Sequence, residues 1–256
     1  EVYAQPRNMD VNLAGQISAE TTENAYGFKQ FVGWQNGAGL AVAFTHLNNA
    51  TQAHILGSSI KGAAHEVAVA AENSGTTVSA AAGVSGGSTS ALTGALAINQ
   101  GKDTTQAGIG ASESKRSSLE NVNRIAVDAK DSTTKVAVAG GLSAAGTAAV
   151  GGAIAYNQVG GVGYQSTEAF LNNTDILTKG DKSALRVRAL DEATLGTAAA
   201  GIGGAGSVAV QGAGATSNIE KNVRTQMAGT NVKSAAGAPK AALSLKAEST
   251  GAMYTN

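Results

Sequence analysis

Cysteine is absent from this chain, which excludes disulfides, thiolate metal sites and cysteine nucleophiles together. Net charge is absent too: 18 Lys and Arg balance 18 Asp and Glu, so the basic excess that drives nucleic-acid binding is missing. Large apolar residues are scarce, with Leu, Ile, Val and Phe making up 49 of 256 residues. In a highly charged chain that scarcity would signal disorder, but zero net charge places the sequence outside that class. Long apolar runs are also missing. Residues 73–101, 136–166 and 193–219 carry no formal charge, yet they are built from Ala, Gly, Ser and Thr rather than Leu, Ile and Phe. Stable membrane insertion is therefore not expected. Residues 1–5 have neither the basic nor the apolar region of a signal peptide.

What the chain has instead is alanine, about one residue in five, and 34 glycines. Small side chains fill space only when backbones approach closely, so the core they imply is thin. The order of these residues is periodic. An alternating apolar segment ending at Ala recurs as Val67-Ala-Val69-Ala-Ala71, Ile125-Ala-Val127-Asp-Ala129, Leu185-Arg-Val187-Arg-Ala189 and Leu243-Ser-Leu245-Lys-Ala247. A weaker copy ends at Ala19, and the five Ala positions step by 52, 58, 60 and 58 residues.

Other landmarks keep the same phase. A small-residue block recurs as Ala81-Ala-Gly-Val84, Ala139-Gly-Gly-Leu142 and Ala199-Ala-Gly-Ile202, with Phe31-Val-Gly-Trp34 as an aromatic variant. Asn48, Asn99, Asn157 and Asn218 follow these blocks, and Thr51, Thr105 and Thr167 each open a Thr-x-Ala-x-(Ile/Leu) segment, with Thr225 opening a divergent copy. Repeats of about 58 residues, near 15–66, 67–124, 125–184 and 185–242, with a partial one at 243–256, fill a single elongated domain.

Within each repeat the apolar residues alternate with period two, the mark of half-buried strands, and no uninterrupted helical stripe occurs. Units that cannot bury a face alone bury it against their neighbours. The expectation is an all-β, right-handed parallel β-solenoid; antiparallel hairpins forming a sandwich or roll are the rival. Three coils of about 19–20 residues per repeat and two of about 29 fit equally well. Gly pairs at 86–87, 140–141, 151–152 and 203–204 are expected to mark turns or bulges, and charged segments such as 113–131 and 168–192 to line the solvent edge.

The stretches from Lys135-Val-Ala-Val-Ala-Gly-Gly-Leu142 to Gly151-Gly-Ala-Ile-Ala-Tyr-Asn157, and from Ala199-Ala-Gly-Ile202 to Thr216-Ser-Asn218, resemble the shaft repeats of large bacterial exoproteins. The nearest likeness is to filamentous-haemagglutinin-like and leukotoxin-type adhesins. The resemblance implies a secreted, extracellular or cell-surface β-rod without catalytic activity. It departs from the family in having no amino-terminal secretion module and no anchoring barrel within these residues.

Catalytic and ligand-binding motifs are weak. Gly201-Ile-Gly203-Gly-Ala-Gly206 fits a dinucleotide fingerprint in letters, with Glu220 near the position of a ribose-binding acid, but Ser207-Val-Ala-Val does not read as the helix that mechanism needs. His46, His54 and His65 lack ligand spacing and read as structural. The in-phase asparagines read as turn residues in preference to an amide ladder. No catalytic residue, cofactor, metal or calcium site is expected, and a polysaccharide-lyase-type site lacks its paired acids.

The candidate functional residues concern assembly. Phe28, Phe31, Trp34 and Phe44 gather in the first repeat as an end cap or docking surface. Leu243, Leu245, Met253 and Tyr254 belong to a repeat that is only opened, and an unpaired strand there invites Val11, Leu13 and Ile17 of another copy. The expected partners are further copies of the chain, in a head-to-tail homo-oligomer or polymer, and a host or neighbouring-cell surface; nucleic acid is not expected. A membrane-active leukotoxin-type protein, or the shaft of a larger adhesin, is the alternative.

Overall fold

Each repeat passes through three sheets in the same order, because each carries the same succession of period-two segments. A computed structural model of the chain describes residues 2–4, 7–18, 36–61, 66–110, 115–161, 167–179, 183–235 and 241–256. Strands are numbered in chain order. The first sheet holds β1 (Val2–Ala4), β2 (Arg7–Ser18), β5 (Glu66–Gly87), β8 (Arg124–Ala145), β12 (Ala184–Ala205) and β16 (Ala242–Thr255). The second holds β3 (Asn36–Ile55), β6 (Ser90–Ile109), β9 (Ala148–Gly160), β10 (Thr167–Asn172), β13 (Val208–Glu220) and β14 (Val223–Ala228). The third holds the short strands β4 (Ser59–Lys61), β7 (Ser117–Val122), β11 (Thr174–Thr178) and β15 (Asn231–Ser234).

The protein is all-β with parallel sheets. No antiparallel pairing occurs among the described strands, so the hairpin sandwich or roll is not formed. Val67 pairs with Ile125, Ile125 with Leu185 and Leu185 with Leu243. Hydrogen-bonded neighbours are thus one whole repeat apart. This corrects both expected coil lengths: a repeat makes one passage through all three sheets, a rung, rather than two or three.

The first rung corrects the spacing as well. Ala4, not Ala19, stands opposite Ala71, while Ile17 stands opposite Val84. In the fourth copy of the Thr segment, Val223 rather than Thr225 pairs with Thr167, which aligns Met227 with Leu171.

The corners follow from local chemistry. The first sheet passes to the second at Ser88-Thr89, Gly146-Thr147 and Gly206-Ser207. Of the four glycine pairs only 86–87 abuts such a corner; 140–141, 151–152 and 203–204 lie within strands. The corner from the second sheet to the third needs a left-handed residue, supplied by Gly57 (φ 54), Asn173 (φ 46) and Gly229 (φ 59). Asparagine tolerates that conformation better than other side-chain-bearing residues.

Inside, two apolar clusters fill a wedge. Where only the first two sheets face each other, the cluster is alanine alone, including Ala43, Ala81, Ala97, Ala139 and Ala155. Where the third sheet joins, space widens and larger residues enter, among them Val69, Ile109, Leu119, Val127, Leu171 and Val187. The alanine-rich composition is therefore the filling of the narrow half. Each fully buried Val, Leu or Ile in the wide half contributes about 1.5–3 kcal/mol.

Candidate assembly surfaces and a buried charged layer

Between the two apolar clusters lies a polar layer that the sequence reading missed. Asp131 and Asp191 are fully buried, and Asn73, Asp103 and Lys135 are buried almost as completely. The Lys221 side chain is 2% exposed, with its Nζ 2.6 Å from Asp191 Oδ1 and 3.7 Å from Asp131 Oδ1. Hydroxyls and amides complete the shell. Thr133 donates to Asp131 Oδ1 at 2.7 Å, Thr105 to Asp131 Oδ2 at 3.3 Å, Thr167 to Asp191 Oδ2 at 2.8 Å and Asn49 to Asp103 Oδ1 at 3.0 Å. Gly101 makes room for Lys135: a Cβ there would stand 2.2 Å from its Nζ.

Burial dominates the electrostatics of this layer. It raises Asp103 above the ordinary carboxylate value, with the Asp131 carboxylate pushing the same way and Lys135 and Lys221 opposing. Burial also raises Asp191, against the pull of Lys221. Lys135 is lowered by the same desolvation. Three acids, Asp103, Asp131 and Asp191, share the layer with two lysines, Lys135 and Lys221. Lys221 and Asp191 pair as ions, Asn73 Oδ1 is buried without a hydrogen-bond partner, and no cluster of metal-ligating character is found among the described residues. The layer was legible in outline: Asp131, Thr133 and Lys135 continue the inward phase of Val127 and Ala129, and Asn73, Asp131 and Asp191 fall in register. Lys221 had no such signal.

Of the in-phase asparagines, Asn99 and Asn157 are fully buried in strands and stacked directly, with Asn99 Nδ2 donating to Asn157 Oδ1 at 3.0 Å. This overturns the turn assignment for those two. Asn48 and Asn218 stand outside the ladder, opposite Lys102 and Gln158; Thr45 and Ser217 occupy its ends. The expectation that 113–131 and 168–192 line the solvent edge likewise fails at Asp131 and Asp191, though Arg116–Asp175 and Arg186–Asp128 are outer ion pairs at 2.8 and 2.6 Å.

Two apolar surfaces stand out among the described residues. The first is the open face of β16. In β12 beneath it, Leu185, Val187 and Leu195 are buried, but their register partners Leu243, Leu245 and Met253 are 53, 43 and 56% exposed. Tyr254 beside them is exposed and faces Gly196 in register. The second is the outer side of the narrow half, where several residues alternating with the inward alanines are large and apolar. Leu92, Val150, Ile154 and Val210 project from the second sheet, and Val138, Leu142 and Ile202 from the first, all exposed.

The structure thus brings together part of the expected assembly set. Leu243, Leu245, Met253 and Tyr254 share one edge strand; Val11, Leu13 and Ile17 lie on β2 at the opposite end of the same sheet, opposite Val78, Ala80 and Val84. Phe44 is half exposed on β3 and stacks on His46, ring centroids 6.5 Å apart. Phe28, Phe31, Trp34 and His65 lie outside the described residues. His54 packs on Phe170. Gly201 to Ala205 of the dinucleotide-like motif lie in β12, and Val208 opens β13, so strand rather than helix flanks the glycines. No helix is long and apolar enough to cross a membrane among the described residues. No family model, curated protein or solved structure matches the chain.

Proposed function

We propose that this chain is an extracellular structural or adhesive rod, a right-handed parallel β-solenoid of one coil per repeat, that extends by adding parallel rungs to its open ends. The coil reading is supported by the fixed order of the three sheets in each repeat and by pairing at whole-repeat separation. The extension reading rests on one observation: Leu243, Leu245 and Met253 are solvent-exposed in positions whose counterparts one rung below are buried. A further parallel rung buries them and pairs the free edge of β16.

In the head-to-tail form, a second copy supplies that rung through β1 and β2. Continuing the register sets Val2 of the incoming copy against Leu245, and Val11 against Tyr254. Such a heterologous contact does not close and yields a filament. In the shaft form, a longer polypeptide supplies the rung, and secretion and surface adhesion follow the exoprotein resemblance. Electron microscopy of the purified chain at near-physiological salt separates the two. Filaments that vanish in the Leu243→Arg/Leu245→Arg double variant, with the far-ultraviolet spectrum kept, support head-to-tail extension. Discrete short rods from the unaltered chain favour the shaft, and filaments persisting in the double variant overturn the proposed contact.

A further inference from the structure

The outer side of the second sheet is ridged in a way that the chain itself does not require. Residues one rung apart form columns along the rod: Leu92, Val150 and Val210; Gly94, Gly152 and Gly212; Leu96, Ile154 and Gly214. Leu92, Val150 and Val210 are 57, 43 and 54% exposed and Ile154 is 57% exposed, so one apolar ridge runs along the glycine groove through three rungs, and Leu96 and Ile154 form a shorter one on its other side that gives way to Gly214 at the fourth rung. At the second rung Leu40 overhangs Gly94, with its Cδ1 3.0 Å from where a Cβ would stand. At the third and fourth rungs the groove is open. A Cβ on Gly212 would meet nothing within 4 Å, and one on Gly152 only the Gly212 carbonyl oxygen, at 3.9 Å. Glycine inside a strand weakens it and packs nothing. Here no intramolecular contact calls for it.

We infer that this face docks laterally onto the same face of a second copy of the chain, the Ile154 ridge of each copy seated in the Gly152–Gly212 groove of the other. The rung spacing points to that occupant. Ridge residues repeat at the strand separation of about 4.8 Å, and another stack of parallel rungs presents the same interval. The contact is isologous under a two-fold axis, since ridge and groove lie on one surface. Residues 90–98, 148–156 and 208–216 carry no formal charge, so the two faces meet without like-charge repulsion. Nine residues of strand and four rungs span roughly 30 by 19 Å, which removes about 1,100 Å² in total from water. That slightly exceeds the area of about 1,000 Å² that a specific interface needs, which makes the association reversible and stronger in longer rods. The face is separate from the open edge of β16, so lateral pairing and end-to-end extension fail independently.

Sedimentation velocity over a concentration series tests it, with the full chain carrying Leu243→Arg and Leu245→Arg so that end-to-end contacts are removed. The expected result is a reversible monomer–dimer equilibrium, weakened at least tenfold by Gly152→Leu or by Ile154→Lys. Filling an empty groove leaves the fold intact, which the far-ultraviolet spectrum checks. A chain that stays monomeric at all concentrations, or dimers indifferent to both substitutions, overturns the inference. Flotation with neutral phosphatidylcholine vesicles is the companion measurement: vesicle binding lost in Ile154→Lys, without dimers, reassigns the face to lipid.

Discussion

Asn157 stands one rung beyond Asn99, accepts its amide hydrogen at 3.0 Å, and in turn donates to the Gly196 carbonyl at 2.6 Å and the Thr197 hydroxyl at 3.0 Å. Both side chains are fully buried, so each amide substitutes for solvent at the boundary of the alanine cluster. Asn157→Ala leaves those partners unsatisfied, each at about 1–3 kcal/mol. The expected loss is about 2–4 kcal/mol, read from the urea midpoint at constant slope. Asn99→Ala in the same chain adds less than its separate cost, because the two share one bond.

Lys221 spans the carboxylates of two rungs from a position inside the layer. Replacing it with Met strands Asp191 and Asp131 without their cation and costs about 3–5 kcal/mol, as when one partner of a buried pair is removed. Adding Asp191→Asn recovers part of that loss. Thermal unfolding of the single and double variants checks the coupling, and equal melting temperatures would refute it.

Asp103 confers a pH dependence of definite sign. Its folded-state value lies above the ordinary 3.8, chiefly because burial disfavours the charge. The folded chain therefore holds a proton that the unfolded chain releases, and stability falls as pH rises from about 4 through the folded value. Asp191 acts in the same direction, while lowered Lys135 acts oppositely, its contribution lost as pH falls through its own folded value. Asp103→Asn is expected to flatten the decline that sets in as pH rises above the ordinary carboxylate value, and to be neutral or stabilising above the folded value. Denaturation at four pH values measures it.

On the outer surface, Asp175 is held at about 2, first by its hydrogen bond with Arg116 and next by that from Asn231. Its contribution to stability is present above the ordinary value of 3.8 and is lost as pH falls through about 2. In Arg116→Ala the Asp175 carboxyl carbon, followed by nuclear magnetic resonance, should titrate closer to the ordinary value. An unchanged titration would show that the ion pair does not persist in solution.

Strand type and inward phase were readable along the chain because period two is a local property: Val67, Val69 and Ala71 point inward in the structure as their alternation requires. The open-edge residues Leu243 and Leu245 were readable for the same reason. The buried charges were only half readable. Asp131 and Lys135 lie in the inward phase, yet burying a charge is costly enough that phase alone argued for solvent; Lys221, arriving from the link between β13 and β14, offsets Asp131, and Asp103 and Asp131 offset Lys135.

The sequence by itself determined a repeat near 58 residues, strands rather than helices, and a thin alanine core, since periodicity and side-chain volume act within or between adjacent residues. Tertiary structure alone decided that one repeat makes one rung, because the coil length depends on which strands pair, and pairing joins residues 58–60 apart. It also decided which glycines face open space and where apolar ridges line up. Those are relations between rungs, set by register, and no single repeat contains them.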